Sequence, residues 1–502
     1  MKQTLALLLL VISVATHAQT GNTIRDLDYY IANAPFKMTM PTLPQFPDRR
    51  FSIADYGAVA DGKALNTAAF DKAIAACAAA GGGHVVVPAG TWITGPIRFK
   101  SNVDLHLDKG ALVQLTKDHT QYPLIQASAK SNSIVVASPV YGYDLKNIAI
   151  TGDGVIDGAG ETWRPVKKLK TTPDQWQGLL ASGGVVSDKG DLWWPSREAM
   201  NGEAYLKTLK GRANLTAEDY LPARDFLRPY MVTFVHCDNI LIEGVTLRNS
   251  PKFVFCPNSC TNMTLRSVNV YNDWWAQNGD GIDISACKNV VIYKCTVNAG
   301  DDGICMKSSG SSKDGGSKLE NILIAGCTVY RAHGGFVVGS NTDGGMRNIY
   351  VVDCLYDGTD IGLRFKSNAG RGGLVKDIYI DRITMRNIRN EAISFDTYYE
   401  DVPAGTVKQT SQAQADKTPE FTGIHISNVD CKGAKAAISI TGLPQMPVHD
   451  IHFSNVAISA AKGVSLVDAT ALHFSKTTIV PASGPAWSYG KGVDKSTITI
   501  EN

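Results

Sequence analysis

The sequence predicts an all-β protein, a single-domain right-handed parallel β-helix of about ten coils with an N-terminal capping helix. The main observation is a repeat in which Asn or Asp precedes two apolar residues that are one position apart. From residue 239 onward the repeats lie 23, 27, 32, 27, 29, 46 and 27 residues apart, which is typical of a solenoid. Short period-2 segments of β-branched residues lie between Gly, Asn and Asp, so the repeating elements are strands. The repeat positions are Asn102, Asn147, Asn239, Asn262, Asn289, Asn321, Asn348, Asp377, Gly423 and Asp450.

The composition agrees with a packed, turn-rich globular protein. The 502 residues include 49 Lys+Arg and 47 Asp+Glu, with 44% hydrophobic residues and a formal net charge of +2. These values exclude a disordered chain and a nucleic-acid-binding protein with a strongly basic face. Length alone would suggest about three domains, and the repeat replaces them with one solenoid. The 47 Gly residues do not recur at every third position, which excludes collagen.

The first 18 residues predict a removable signal peptide. Lys2 precedes an apolar run from Leu5 to Val14, and small residues precede Gln19. This run is too short to span a bilayer, and no other stretch approaches 18 apolar residues. We therefore expect an exported protein, periplasmic or secreted, that does not associate with a membrane. Residues 19–50 are predicted to form an N-terminal extension.

Residues 51–502 are predicted to form the β-helix, with a helix near its start. The segment from Thr67 to Ala80 is Ala-rich with helical spacing, three glycines follow it, and we expect it to cover the open end of the core. The 92-residue interval from Asn147 to Asn239 exceeds one coil and predicts an insertion, residues 159–228, here called the excursion. Its tryptophans either face sugar rings beside a groove or anchor the excursion: Trp163, Trp176, Trp193 and Trp194.

Cysteines occupy fixed positions in the repeat, either two residues before the repeat Asn or six residues after it. In stacked coils such residues form columns with a spacing of about 4.8 Å. This pattern favours buried thiols, and one or two disulfides involving Cys256 or Cys305 are the alternative. The Asn residues should form a similar column, joined by their side-chain amides. The columnar cysteines are Cys237, Cys260, Cys287, Cys295, Cys327 and Cys354.

Four polar clusters interrupt the apolar strands at coil spacing. Asp280 and Asp301 are 21 residues apart, Asp302 and His333 are 31 apart, and His333 and Arg364 are 31 apart. We expect the clusters to stack on one outer face, within a few strand spacings of each other. Crowded carboxylates cannot all ionise freely, so at least one pKa is raised. A protonated acid beside ionised carboxylates is the arrangement that glycoside hydrolysis uses.

Local spacing sets the side-chain directions within two of these clusters. Neighbouring residues of a strand face opposite sides, so Asp301 and Asp302 share a face only if the backbone departs from strand geometry. Their flanking glycines favour such a departure. Arg364 and Lys366 are two residues apart and do share a face. This positive charge beside the acids indicates a substrate that carries carboxylates rather than a neutral sugar.

At these residues the sequence resembles glycoside hydrolase family 28, the polygalacturonases. Residues 278–280 resemble the Asn-Thr-Asp segment of that family, and Asp301-Asp302 resembles its paired aspartates. Residues 333–334 resemble its His-Gly motif and residues 364–366 its Arg-Ile-Lys motif. The resemblance spans residues 51–460 and keeps every functional side chain of the motifs. The departures are Gly279 for Thr, Ala332 for the first Gly of Gly-His-Gly, and Phe365 for Ile.

The resemblance implies a role for each motif residue, and it implies neither a metal nor another cofactor. Asp301 would be the general acid, while Asp280 and Asp302 would activate the attacking water and so give inversion. His333 would tune the protonation of the acid. The substrate-binding residues would be Arg364 and Lys366 for a galacturonate carboxylate, Asn278 for orienting the neighbouring carboxylates, and either Tyr398 or Tyr399.

The leading hypothesis is an exported, inverting hydrolase of α-1,4-linked galacturonic acid in pectin. Its partner would be a galacturonic-acid-containing pectic polysaccharide or oligosaccharide, and we expect a monomer. The excursion precedes the catalytic coils and could close one end of the groove, which favours exo-action. A calcium-dependent pectate lyase and a non-catalytic polysaccharide-binding β-helix are the alternatives. The carboxylates available to calcium would be Asp273, Asp280, Asp283, Asp301 and Asp302.

Overall fold

The computed structural model describes residues 24–127, 133–310, 316–399 and 417–501. The chain folds as the predicted right-handed parallel β-helix, in which three faces of parallel strands wind around one apolar core. The predicted signal peptide, residues 1–18, lies outside the described residues, so export stays a prediction. Among the described residues, no helix combines the length and apolarity that crossing a membrane requires.

The first face contains the repeat triplets and runs the whole length of the solenoid. Its strands pair in parallel register from each coil to the next, and three long strands near the C-terminus turn through more than one face. Its strands are Arg50–Ser52, Gly83–Val87, Val103–Leu107, Lys146–Gly152, Asp238–Glu243, Thr261–Arg266, Lys288–Tyr293, Leu319–Ala325, Met346–Val352, Ile378–Arg386, Ile424–Thr441, Val448–Val467, Ala469–Pro481 and Ile498–Glu501.

The second and third faces complete each coil, and the third carries the polar clusters. The second face consists of Asp61–Leu65, Gly90–Thr94, Ala111–Leu115, Val155–Asp157, Thr246–Arg248, Asn269–Tyr271, Thr296–Asn298, Thr328–Tyr330 and Leu355–Asp357. The third consists of Ile97–Arg98, Val140–Tyr143, Val232–Val235, Ile282–Ser285, Ile304–Lys307, Gly334–Val338, Ile361–Lys366, Glu391–Asp396 and Trp487–Tyr489. Outside the faces, Leu374–Val375 pairs with Glu420–Phe421, and Leu124–Gln126 forms a hairpin with Ile134–Val136.

The repeat asparagines form the predicted column, and the backbone explains why Asn is used there. Asn102 and Asn147 have φ values of 64° and 51°, in the left-handed region that Asn tolerates better than most residues. The side-chain amide of Asn147 donates to Oδ1 of Asn102 at 3.0 Å, and Asn239 donates to Asn147 at 3.0 Å. The column therefore fixes the turn of each coil and links it to the preceding coil.

The cysteines are buried and reduced. This confirms the predicted columns of buried thiols and not the disulfide alternative. All ten are free, including Cys256 and Cys305. Burial raises the pKa of the Cys327 thiol well above its usual value, so the group stays protonated. The thiols fill the core as small apolar side chains.

Two segments from the N-terminal part of the chain pack on the solenoid. The helix Thr67–Ala79 packs Phe70 and Ile74 into the main core, as predicted for a cap, and ends before glycines in the left-handed region. The preceding segment lies across the outside of the first face, where the Tyr30 hydroxyl donates to Asp353 at 2.7 Å. The α-helices are Leu27–Ala32, Thr67–Ala79, Pro173–Ala181, Arg197–Leu209 and Arg224–Leu227, and the 3-10 helices are Ile53–Tyr56, His119–Gln121, Gly160–Thr162, Lys168–Lys170, Ala217–Ala223 and Lys495–Thr497.

The excursion folds over the third face with its own small apolar clusters. It contains a three-stranded antiparallel sheet of Val166–Lys167, Leu192–Trp194 and Val185–Val186. Trp176 and Trp193 pack together with Val166, and Trp163 stacks on the His119 ring with a centroid distance of 3.5 Å. These three tryptophans are buried, which supports the anchoring interpretation for them rather than the sugar-facing one.

Candidate active site

Coil register brings the four polar clusters together on the third face. Ile282 pairs with Ile304, Ile304 pairs with Phe336, and Phe336 pairs with Leu363, so four consecutive strands lie side by side. Each cluster precedes or lies within one of these strands. With strands about 4.8 Å apart, side chains from all four coils reach one site.

Asp301 and Asp302 lie in irregular backbone just before the strand Ile304–Lys307. This is what two neighbouring side chains need in order to face the same side. The flanking glycines contribute differently from what we predicted. Neither Gly300 nor Gly303 has a left-handed φ. A Cβ atom on Gly300 would lie 2.2 Å from the Ala276 carbonyl oxygen, and one on Gly303 would lie 2.6 Å from Cγ1 of Val329. These glycines allow close packing between coils rather than an unusual backbone conformation.

Asp302 is a buried carboxylate held by two cations from later coils. Lys366 donates to its Oδ2 at 2.7 Å, and Arg364 donates to its Oδ1 at 3.2 Å. Burial alone would raise the pKa of Asp302, but the charges of Lys366 and Arg364 outweigh it and hold the pKa well below its usual value. Asp302 is therefore ionised, and the predicted cationic pair lies directly beside the acids.

Asp301 is bound by His333, which is bound in turn by a lysine of the excursion. Nδ1 of His333 lies 2.9 Å from Asp301, and its Nε2 lies 3.0 Å from the amine of Lys170. An ammonium can only donate, so Nε2 accepts and Nδ1 carries the proton that is donated to Asp301. Burial raises the pKa of Asp301, but this hydrogen bond together with nearby positive charge, including that of Lys366, lowers the pKa below the usual value.

Within the predicted acid trio, Asp280 is the carboxyl group whose pKa is raised. It is 4% exposed, and burial, followed by the neighbouring charges of Asp283 and Asp301, raises its pKa well above the usual value. The amine of Lys307 lies 2.9 Å from Asp283 and 3.4 Å from Asp280. At least one pKa is raised, as predicted, but burial is the largest cause and the neighbouring carboxylates add to it; the raised groups are Asp280 and its neighbour Asp283.

The other three predicted residues lie at the edges of the site. The ring of Tyr399 is 4.7 Å from the amine of Lys366 and 5.3 Å from the guanidinium of Arg364. Tyr398 is buried, and its backbone N–H donates to Asp396. Tyr399 is therefore the tyrosine beside the cationic pair. The side chain of Asn278 accepts a hydrogen bond from Arg228 at 2.9 Å, and its predicted effect on the carboxylates stays a prediction.

Several residues at the site were absent from the sequence-based predictions. One of them, Lys307, could have been recognised from the sequence, because its charge lies in register with the polar Ser285 of the preceding strand. The ring centroid of Trp274 lies 5.7 Å from that of His333 and 4.5 Å from the amine of Lys170. The place of Trp274 in the sequence has no fixed relation to the repeat, so the repeat could not predict it. The full set is Lys170, Arg228, Lys252, Trp274 and Lys307.

The spacing and the surroundings of the three acids determine whether they can bind a metal ion. One carboxylate oxygen from each of Asp280, Asp301 and Asp302 lies within 4.8 Å of the others, which is close enough to share an ion. However, Lys307 already neutralises Asp280, and Lys366 with its neighbouring arginine neutralises Asp302. These ammonium and guanidinium groups would repel a divalent cation, so the donor set fits proton transfer better than calcium binding.

A cavity of about 650 Å³ lies next to the acids, and its lining includes Lys307, which contacts Asp280 and Asp283. The end of the excursion, residues 227–230, forms one wall, and the hairpin residues Val135 and Val136 form another. Lys252 and Lys307 contribute positive charge to its lining. The cavity therefore continues the groove on the side opposite the Arg364 and Lys366 pair.

Acids with opposed pKa shifts, beside cations in a groove on a parallel β-helix, define an acid–base enzyme that acts on an anionic polysaccharide. The model of a family described as Glycosyl hydrolases family 28 matches residues 216–478, which include all four polar clusters. A second model, described as Rhamnogalacturonase A/epimerase, pectate lyase-like, matches residues 50–172, before those clusters. The chain belongs to glycosyl hydrolases family 28, and it is a glycoside hydrolase.

Individual relatives agree with this assignment. The chain is 27% identical over 435 residues to a probable polygalacturonase of Vitis vinifera, covering 82% of this chain and 74% of the relative. It is 27% identical to an exo-poly-alpha-D-galacturonosidase of Dickeya chrysanthemi, covering 92% and 77%. The structure of a hyperthermoactive exopolygalacturonase from Thermotoga maritima superposes with a TM-score of 0.71 at 28% identity, covering 91% and 96%. The comparisons give no support to the lyase or to the non-catalytic β-helix.

Proposed function

We propose that this enzyme hydrolyses α-1,4-linked galacturonic acid in pectin, with inversion and from chain ends. The observation that carries the proposal is the contact of Arg364 and Lys366 with Asp302. In this proposal the two cations bind a sugar carboxylate next to the acids that cleave the bond. The names of the relatives, polygalacturonase and exo-poly-alpha-D-galacturonosidase, support the same substrate class.

Each acid has a proposed role that its environment supports. Asp301 protonates the leaving oxygen, and Asp280 and Asp302 activate the water. The free protein holds Asp301 ionised, so substrate binding must change its protonation. A galacturonate carboxylate that binds Arg364 and Lys366 adds negative charge and competes with Asp302 for these cations. Both effects raise the pKa of the neighbouring carboxylates, which protonates the acid and makes the base stronger.

Substitution of the general acid tests the reaction. Asp301→Asn should reduce the release of reducing sugar from polygalacturonate by about 10³-fold or more, without unfolding the protein. Asp273→Asn is the matched control, because this aspartate lies outside the acid trio and has no part in the proposed hydrolysis. Wild-type activity of D301N would contradict the proposed role. Ultraviolet-absorbing products together with an inactive D273N would favour the calcium-dependent lyase.

The stereochemistry has its own test, since the separation of the carboxyl groups distinguishes inverting from retaining glycosidases. Carboxyl groups of inverting glycosidases usually lie about 6.5–9.5 Å apart, and those of retaining enzymes about 5–5.5 Å apart. Here the trio has oxygens within 4.8 Å. We favour inversion because three carboxylates can hold a water between two of them while the third protonates the leaving group. The first product observed by proton NMR should be the β anomer, and an initial α anomer would overturn inversion.

Exo-action is supported by the walls of the groove. The end of the excursion and the nearby hairpin border the cavity on the N-terminal side of the acids. The Dickeya and Thermotoga relatives are both named for exo-action. Digestion of polygalacturonate should release monogalacturonate from the earliest times, and an early ladder of intermediate oligomers would contradict exo-action.

We also propose that the enzyme acts as an exported monomer. The signal-peptide pattern at residues 1–18 supports export, and cell fractionation with N-terminal sequencing of the purified protein tests it. Size-exclusion chromatography with light scattering tests the oligomeric state. A mass of twice the chain mass would contradict the monomer.

A further inference from the structure

Among the described residues, two cations in the cavity wall form no ion pair, and Asp280 attracts them only at longer range. Arg228 donates to the Gln277 carbonyl at 3.0 Å and to Asn278 at 2.9 Å, and both of these acceptors are neutral. The amine of Lys252 lies over the rings of Tyr230 and Phe253 at 5.3 Å and 5.6 Å. Within the part of the chain that the structure describes, neither cation forms an ion pair.

This arrangement is unfavourable in the empty protein. Burial, with a contribution from the charge of Arg164, lowers the pKa of Arg228 to about 10. Burial and the charge of Arg228 lower the pKa of Lys252. Two like charges are thus partly desolvated next to each other, which an anion bound between them would relieve. The contrast is with Arg364 and Lys366, whose charges Asp302 compensates.

The two cationic pairs come from coils on opposite sides of the acids. Lys252 belongs to the coil of Phe255, which bridges to Ile282, and Ile282 pairs with Ile304 in the coil of Asp302. Lys252 is therefore two coils before Asp302, and Arg364 is two coils after it. The strands of these two coils are each about 10 Å from the strand that follows Asp302, and the side chains of Arg364 and Lys366 reach back to contact Asp302. A sugar chain along the groove would carry a carboxylate toward each pair.

We propose that Arg228 and Lys252 bind the carboxylate of the galacturonate on the side of the scissile bond opposite Arg364 and Lys366. This inference rests on the proposed function, because it requires a chain of galacturonates in the groove. The ligand is one uronate carboxylate, bound by the fork of Arg228 and the ammonium of Lys252. The stacked rings of Tyr230 and Phe253, 4.9 Å apart, hold the lysine in position.

The test compares variants of Lys252, whose side chain contacts only rings, so that folding is preserved. Lys252→Met should raise KM for trigalacturonate by about 10- to 100-fold with a smaller change in kcat, because it removes a charge-assisted contact to bound substrate. Lys252→Arg keeps the charge and should stay within about threefold of wild type. Arg228→Gln should raise KM to a similar extent. The control is Lys294→Met, an exposed lysine that also lies over a tyrosine ring, at 4.9 Å.

The outcomes separate this inference from the proposed function. If the wild type does not cleave trigalacturonate, the proposed function fails. If the wild type cleaves it and K252M keeps the wild-type KM, the carboxylate site is overturned while the function stands. Equal impairment of K252M and K252R would also overturn it, since the effect would then come from packing rather than charge. Impairment of K252M alone, with K252R and K294M active, supports the site.

Discussion

The coils and the excursion supply side chains to the same active site by different means. Asp302, Arg364 and Lys366 are positioned by strand register, and they form a compensated cluster of buried charges. Lys170 and Arg228 come from the excursion, which is held by packing of buried tryptophans rather than by a ladder of strands. Their charges have only neutral hydrogen-bond acceptors.

The difference indicates a division of roles between the two regions. The coils hold the acids in a fixed geometry, where each ion pair also stabilises the fold. The excursion brings charges that are incompletely compensated, so they remain available to tune the acids or to receive an anion. Removing a coil residue should therefore cost both activity and stability. Removing an excursion residue should cost activity alone.

The largest effect should follow from Asp302→Asn. The change leaves Lys366 and Arg364 buried beside a neutral amide, which should cost about 3–5 kcal/mol of unfolding free energy. It also removes a proposed base, so the release of reducing sugar should fall by about 10³-fold. Because the folded pKa of Asp302 is lowered, its stabilising effect in the wild type is present above the ordinary carboxyl pKa and disappears as the pH falls below it. Urea unfolding at several pH values measures this, and a D302N variant as stable as the wild type would contradict the structural role of the coil charges.

Asp280→Asn should inactivate the enzyme and yet stabilise it. The folded pKa of Asp280 is raised, so its ionisation above that pKa costs stability. An amide is neutral at every pH, and the variant should gain about 1 kcal/mol at neutral pH, with the gain shrinking as the pH falls. Activity should drop by about 10²-fold or more. A lower melting temperature for D280N at neutral pH would show that the Lys307 contact outweighs the burial of the charge.

Lys170→Met tests the excursion. Lys170 acts as a positioning residue through His333, so its loss should lower kcat/KM by about tenfold and leave the melting temperature nearly unchanged. Loss of its positive charge raises the pKa of Asp301, so the alkaline limb of the pH profile should move to higher pH. Lys189→Met, an exposed lysine of the same excursion, is the control. An unshifted pH profile in K170M would reduce the role of Lys170 to packing.

The sequence predicted those parts of the molecule whose location is set by the repeat. Spacings of 21 and 31 residues were enough to place Asp280, Asp301, His333 and Arg364 on neighbouring coils, because each spacing is about the length of one coil. The Asn and Cys columns follow from the same regularity. Sequence spacing also predicted one raised pKa, but it could not say which acid carries it, because the answer depends on burial and on the position of Lys307.

The excursion residues could not be predicted in this way. Lys170 reaches His333 across 163 positions, at a place in the chain where no repeat relates one residue to another. The choice between Tyr398 and Tyr399 stayed open for a related reason, since it depends on the backbone directly after the strand Glu391–Asp396. Side chains positioned by packing of irregular segments leave no periodic signal.

Reducing agents should have the smallest effect. This prediction tests whether packing or covalent links hold the coils together. The excursion contains no cysteine, whereas the coils contain columns of free thiols such as Cys295, Cys327 and Cys354. Because these thiols are buried and protonated, they contribute packing rather than covalent links. A thiol reagent should label none of the ten cysteines in the native protein and all ten after unfolding. Dithiothreitol should leave the unfolding midpoint unchanged, and a drop of several degrees would show that disulfides hold the coils, since loss of one disulfide typically costs about 2–5 kcal/mol.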